Sequence, residues 1–231
     1  MTMRKTAWAM LAGASMLAAV PAGAAERGFY VGGFYGQTRS DLNQSQYENL
    51  AWLLYRDLEF DPLTRISSSL DDKDSGYGFF GGFRFSPYLA VEGGYVDLGK
   101  FTFKDQTEGF DAFEAEDVML EQRLTTKMSG LSVSVLGILP LTYRTELFAR
   151  GGVIFTSNEL TARVEASNGF GIGGELSSES DTDFLAGVGA AMSFAEIYSV
   201  RLEYQRIFDA GDEFTGEADT DIISLGVAVT F

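Results

Sequence analysis

From residue 28 onward, apolar residues recur at every second position in segments separated by charged or turn-forming stretches, the mark of strands that expose one face to an apolar surrounding. The last segment is the clearest: Ile223, Leu225, Val227, Val229 and Phe231 fall on one face, and Ser224, Gly226, Ala228 and Thr230 on the other. Leu147, Ala149, Gly151, Val153 and Phe155 alternate in the same way with Glu146, Arg150, Gly152 and Thr156. Phe184, Ala186, Val188, Ala190, Met192 and Phe194 alternate with Gly187, Gly189, Ala191 and Ser193. The pattern predicts eight strands, near 28–38, 75–85, 89–103, 129–139, 144–157, 183–194, 198–209 and 220–231. Each is long enough to cross an outer membrane as a tilted strand of about 9 to 11 residues.

A soluble β-sandwich also alternates, so the connections must separate the two architectures. Short turns are expected near Ser86-Pro87-Tyr88, Leu139 to Thr142 and Ala195 to Ile197, and long loops near 39–74, 104–127, 158–182 and 210–219. Short and long alternate strictly, as they do when one rim of a barrel carries tight periplasmic turns and the other carries extracellular loops. Charge divides the same way. The segments 39–74, 104–127, 158–183 and 209–221 hold 27 acids and 8 bases, whereas the rest of the chain after residue 25 holds 6 and 7. The fold class expected is therefore all-β: an eight-stranded antiparallel transmembrane β-barrel with short periplasmic turns and four long extracellular loops. Closure of an even number of strands also removes the unpaired edges that lipid does not tolerate.

Composition narrows function more than fold. The 231 residues carry 33 acids against 17 Lys and Arg, a formal charge of −16, and include 27 Gly and only 4 Pro. A nucleic-acid binder needs a concentrated basic surface and is not expected. With no Cys and no His, disulfides, thiolate metal sites and histidine-dependent hydrolysis are excluded. No enzyme activity, cofactor or metal is expected.

Met1 to Ala25 places Arg4 and Lys5 before an apolar run from Ala7 to Val20 and ends in Pro21-Ala22-Gly23-Ala24-Ala25. That is the layout of a secretory signal peptide, and the run is shorter than the roughly 20 residues of a membrane-spanning helix. The expected organisation is a leader over 1–25, cleaved after Ala25, and a barrel domain over 26–231.

Six segments in order, Phe29–Gly36, Gly78–Phe85, Val91–Tyr95, Ala149–Gly152, Arg201–Gln205 and Ser224–Phe231, together resemble the transmembrane domain of the OmpA-like outer-membrane proteins. The resemblance implies residence in the Gram-negative outer membrane, contact with its lipid and lipopolysaccharide, and a structural, adhesive or weakly pore-forming role. Larger family members add a periplasmic peptidoglycan-binding domain, and since the chain stops at the barrel that function is not carried over. Gly226, Val229 and the terminal Phe231 resemble the signal read by the outer-membrane assembly machinery.

The inward parity places Arg84, Glu92, Arg150, Arg201 and Glu203 in the lumen. Arg84 is expected opposite Ala90 and diagonal to Glu92, and eight strands leave an interior that side chains largely fill. By resemblance, Glu92, Arg150, Arg201 and Glu203 occupy positions of an interior ionic network partly linked to gating. The family's second interior pair is replaced by small or apolar residues near Val135 and Ala191, which favours a structural network over a gate. In the fourth strand the hydrophobic pattern turns Leu131, Val133 and Val135 to lipid and Ser132 and Ser134 inward, while the resemblance implies the opposite parity.

In the first loop, Ser45-Gln-Tyr-Glu48 reads as a capping box, and Tyr47, Leu50, Ala51, Leu54, Tyr55 and Leu58 lie at helical spacing. They predict a helix over about 46–58, limited by Pro62. It either lies on the outer leaflet or a partner, with Trp52 as anchor, or packs over the barrel mouth. Gly169 to Gly174 satisfies G-x-G-x-x-G without a βαβ context and reads as loop freedom. Acid clusters at Asp71, Asp72 and Asp74 and at Asp209, Asp212 and Glu213 match no calcium-loop spacing and read as solvated. The leading function is a non-enzymatic outer-membrane barrel with a structural or surface-interaction role, with a partner met through the loops. The alternative is a narrow ion or small-solute pore gated by the lumenal Arg/Glu network.

Overall fold

The computed structural model describes residues 27–42, 44–56, 64–111, 116–167, 169, 171–194, 197–210 and 218–231. The expected leader lies outside these residues. Along the chain run β1 (Gly28–Ser40), α1 (Gln44–Arg56), β2 (Thr64–Asp71), β3 (Lys73–Ser86), β4 (Leu89–Asp111), β5 (Glu116–Pro140), β6 (Thr145–Ala166), β7 (Gly171–Phe194), β8 (Tyr198–Ala210) and β9 (Ala218–Thr230). Eight strands pair antiparallel in a closed ring ordered β1, β3, β4, β5, β6, β7, β8, β9 and back to β1. The seam joins Tyr30 to Thr230 and continues to Ser40 with Thr220. β2 stands outside the ring and pairs with the upper part of β4.

Alternation sets the two faces. Val31, Phe79, Leu131, Val133, Val135, Val188, Leu225 and Val227 point outward and are exposed, a surface that only a hydrocarbon surrounding stabilises. Aromatic side chains close this band at both ends: Phe29, Tyr143, Tyr198 and Phe231 near the short turns, and Tyr77, Tyr95, Phe155 and Phe184 at the other rim. Ser134 is buried inside while Val135 is half exposed outside. The hydrophobic pattern of β5 therefore prevails over the parity implied by family resemblance, and of Val135 and Ala191 only Ala191 faces the lumen. The first short turn is Pro87-Tyr88 rather than three residues. A bulge between Arg84 and Ser86 keeps Arg84 opposite Ala90 all the same.

The expected loops at 104–127 and 158–182 are largely strand. β4 and β5 remain paired out to Asp111 and Glu116, and β6 and β7 out to Glu165 and Gly171. The barrel wall thus continues on one side as a sheet of β4, β5, β6 and β7 edged by β2. Here the polarity reverses: Phe103, Leu124, Leu160 and Ala162 are buried on the inner face, while Lys104, Arg123 and Arg163 stand exposed on the outer one. Most of the charges that suggested loops there, the buried Asp105 and Asp183 excepted, belong to the water-facing side of a regular sheet. Gly169 forms a left-handed turn position (φ 92°), and Gly171, Gly173 and Gly174 are ordinary residues of β7.

Gly99 makes the transition on β4. It sits at φ 87°, beside a register shift between Asp97 and Gly99, in a conformation that favours glycine. The shift by one residue turns Phe101 and Phe103 inward after Leu98.

Helix α1 covers the inner face of this upper sheet. Tyr47 and Ala51 pack with Phe103, Leu124, Leu160 and Ala162, and the Tyr47 hydroxyl lies 3.1 Å from that of Thr126. Of the two expected placements, packing over the mouth is the one observed, although Trp52 remains partly exposed. The helix begins at Gln44, so Ser45 lies within its first turn rather than ahead of it.

Candidate functional site

The lumen is layered. Nearest the short turns, Ala90, Leu136, Ile138, Phe148 and Ala191 form an apolar cluster with Tyr30 packed against it. Toward the outside, Val96, Leu98, Met128, Ile154, Leu185, Ile207, Ala210 and Ile222 form a second, with Phe34 against it. Charged side chains lie between the two layers.

Three strands supply them. Glu92 projects from β4, Arg150 from β6, and Arg201 and Glu203 from β8. Arg201 Nη1 donates to Glu92 Oε1 at 2.6 Å, and Arg150 Nη2 to Glu92 Oε2 at 2.5 Å. Arg150 Nε is 2.5 Å from Glu203 Oε1, and Arg201 Nη2 is 3.5 Å from Glu203 Oε2. Each arginine therefore touches both carboxylates, and the four charges sum to zero. The Tyr30 hydroxyl donates to Glu92 Oε1 at 2.8 Å. The Arg201 guanidinium also lies between two rings, 4.7 Å from the centroid of Phe80 and 4.5 Å from that of Phe148, a cation–π contact stronger when water is excluded. Phe148 reaches this position because residue 189 is glycine: a Cβ there would collide with the ring. The side chains of Glu92, Arg150, Arg201 and Glu203 are all less than a tenth exposed.

Arg84 is not part of this cluster. Its Nη1 and Nη2 donate to Glu146 Oε1 and Oε2 at 3.2 and 2.8 Å, and Nη2 also donates to the Pro87 carbonyl at 2.8 Å. The guanidinium turns toward the first short turn, where a carboxylate from β6 and a turn carbonyl satisfy it. Glu92, one layer deeper, is already held by two arginines. The inward parity of Glu146 was legible in the sequence, but its pairing across the lumen was not.

Further groups missed by sequence reasoning lie outside the bilayer. Arg65 on β2 places Nε 2.8 Å from the buried Asp105 and Nη1 3.2 Å from Glu48, tying α1 and β2 to β4. Hydrogen bonds from Ser68 and Gln44, with Arg65 nearby, hold the Glu48 carboxyl below the usual range. On the rim above the apolar band, Asp221 accepts from Arg206 Nε and Nη2 at 2.6 and 2.7 Å and from the Tyr204 hydroxyl at 2.8 Å. These bonds, those of Arg206 foremost, lower its pKa.

Asp72 pairs with Arg39, and Asp74 accepts from the backbone amides of Ser75 and Lys100. Asp212 and Glu213 lie outside the described residues. Among those described, no group of acids is arranged to hold a metal ion. At the seam, the Phe231 amide donates to the Phe29 carbonyl at 2.9 Å, Val229 pairs with Val31, and the Phe231 ring is 78% exposed. Gly226 lies opposite Phe34.

A closed antiparallel barrel with an apolar exterior, aromatic girdles and a packed lumen is an integral outer-membrane β-barrel. The chain belongs to the OmpA-like transmembrane domain family, which matches it over residues 24–231, and its place is the Gram-negative outer membrane, in contact with lipid and lipopolysaccharide. Outer membrane protein A of Klebsiella pneumoniae is 29% identical over 163 residues, which are 68% of this chain and 41% of that protein. The chain thus spans about two-fifths of the length of that relative. Among solved structures, Neisserial surface protein A has a TM-score of 0.49 at 10% identity, over 88% of this chain and 97% of its own. OprG of Pseudomonas aeruginosa has a TM-score of 0.48 at 9% identity, over 90% and 98%.

Proposed function

We propose that this protein is a closed, non-enzymatic barrel that serves the envelope structurally and meets extracellular partners through its acidic upper part. The observation that carries this reading is the layering of the lumen. An ionic cluster of zero net charge lies between two apolar clusters, with α1 packed above. Eight-stranded barrels of this kind are filled by side chains, and an ion entering here meets an apolar barrier on either side of charges that already neutralise one another. The absence of histidine and cysteine from the sequence supports a role without catalysis.

The reading includes export with cleavage after Ala25 and recognition of Gly226, Val229 and Phe231 by the assembly machinery. It is supported by the exposed terminal ring at the seam and by the leader-like layout of residues 1–25. Removal of the Phe231 ring should slow insertion in cells while leaving refolding into detergent intact. Slowing of both would assign the residue to barrel stability instead.

The second reading is a narrow pore gated by the cluster. It is favoured by Arg150, which touches both Glu92 and Glu203, so that one contact can open while the other holds. Planar-bilayer recording separates the two. A closed barrel gives no reproducible unitary openings, whereas openings that disappear in Glu92→Gln or Arg201→Met identify the pore.

A further inference from the structure

On the outer face of the upper sheet, cations stand opposite cations. Register pairs Lys100 with Lys127 across β4 and β5 and, further from the bilayer, aligns Lys104, Arg123 and Arg163 across β4, β5 and β6. Thr102, Thr125 and Thr161 form the row between. All five basic side chains are exposed. Lys127 lies 3.4 Å from Glu159, Arg123 3.4 Å from Glu121 and Arg163 3.9 Å from Glu165, while Lys100 and Lys104 form no ion pair among the described residues. Like charges directly opposite destabilise a sheet. The two rows thus hold five of the chain's 17 Lys and Arg against one acid, Glu159, while Asp71 and Glu175 flank the threonine row and Glu121 and Glu165 lie just beyond the Arg123 row. A multivalent anion would convert that repulsion into attraction.

The position selects the anion. Lys127 and Leu131 share the outward face of β5, and Leu131 belongs to the lipid-facing band. At a strand rise of about 3.3 Å and a tilt near 40°, the row of Lys127 stands about 10 Å above Leu131 and the row of Arg123 about 20 Å above it. That layer, just beyond the acyl chains, is where the phosphorylated sugars of lipopolysaccharide lie. We propose that the two cationic rows form a lateral binding site for the phosphate groups of lipopolysaccharide in the outer leaflet. The threonines between them supply hydroxyl donors. The site goes beyond contact with bulk lipid and does not depend on whether the lumen conducts.

The test uses the folded barrel in neutral maltoside micelles containing EDTA, titrated with rough lipopolysaccharide, with the same material stripped of phosphate, and with soluble polyphosphate. Intact lipopolysaccharide should bind and raise the unfolding temperature, and the stripped form should not. The triple variant Lys104→Gln, Arg123→Gln, Arg163→Gln should bind on the order of tenfold more weakly. In maltoside alone it should be as stable as the parent or more so, because the opposed cations are gone. Arg39→Gln with Lys73→Gln, cations outside the rows, should leave affinity unchanged. Equal binding by the triple variant, or by stripped lipopolysaccharide, overturns the proposal, and equal stabilisation by polyphosphate overturns the assignment to the leaflet. If the triple variant does not fold, the intact and stripped lipids compared on the parent protein decide.

Discussion

Glu92 and Arg201, 109 positions apart in the chain, meet across the lumen at 2.6 Å with the guanidinium held between two phenylalanine rings. Because the four charges cancel, loss of one carboxylate leaves an uncompensated buried cation. Glu92→Met and Arg201→Met should each destabilise the barrel by about 3 to 5 kcal/mol, whereas the double variant, which leaves Arg150 paired with Glu203, should cost less than either. Urea unfolding in lipid vesicles measures this. Additive single effects would show that the two residues are energetically independent.

Arg84 and Glu146 make a two-pronged contact near the short turns, with the side chains 9% and 21% exposed. Glu146→Gln should cost about 1 to 2 kcal/mol. A double-mutant cycle should give a coupling between Arg84 and Glu146 and none between Arg84 and Glu92.

Asp221 has its folded pKa depressed, chiefly by hydrogen bonds from Arg206. Its contribution to stability is therefore fully present above the unfolded value of about 3.9 and is lost as pH falls through the lower folded value. Asp221→Asn should flatten the acid limb of the stability curve below about pH 4 and change little at pH 7 beyond the loss of the ion pair. An unchanged acid limb would assign that limb to other carboxylates, Glu48 among them.

Gly99 combines a positive φ with a site where a Cβ would press on the Asp74 carboxylate. Gly99→Ala should cost about 1 to 3 kcal/mol. Its effect should concentrate in faster hydrogen exchange of upper β4 and β2, with the membrane-level strands protected as before.

The eight membrane strands were legible because lipid imposes a strict alternation, and Leu131, Val133 and Val135 announced their face without help from family resemblance. The upper sheet was not legible. In it the apolar residues Leu124 and Leu160 turn inward and the charged ones outward, so the composition read as loop while the period of two persisted beneath it. The helical spacing of Tyr47, Leu50 and Ala51 located the start of α1 to within two residues, with the expected end at 58 outside the described residues, but periodicity does not say what an apolar face packs against. Parity likewise placed five charged residues inside the barrel. It could not pair them, because Arg84 with Glu146 and Arg201 with Glu92 meet across the interior, between strands that are not hydrogen-bonded neighbours.

β7 pairs with β8 only from Phe184 onward, so among the described residues Gly171 to Asp183 has no strand on that flank. Unsatisfied peptide groups in such a row invite a second molecule to zip alongside, a hazard heightened where proteins are confined to two dimensions. Glycines and serines make up about half of this row, and Glu175 and Asp181 stand exposed in it. A copy approaching in the antiparallel sense would bring its own acids toward these, and mutual repulsion would discourage the start of a ribbon between neighbours.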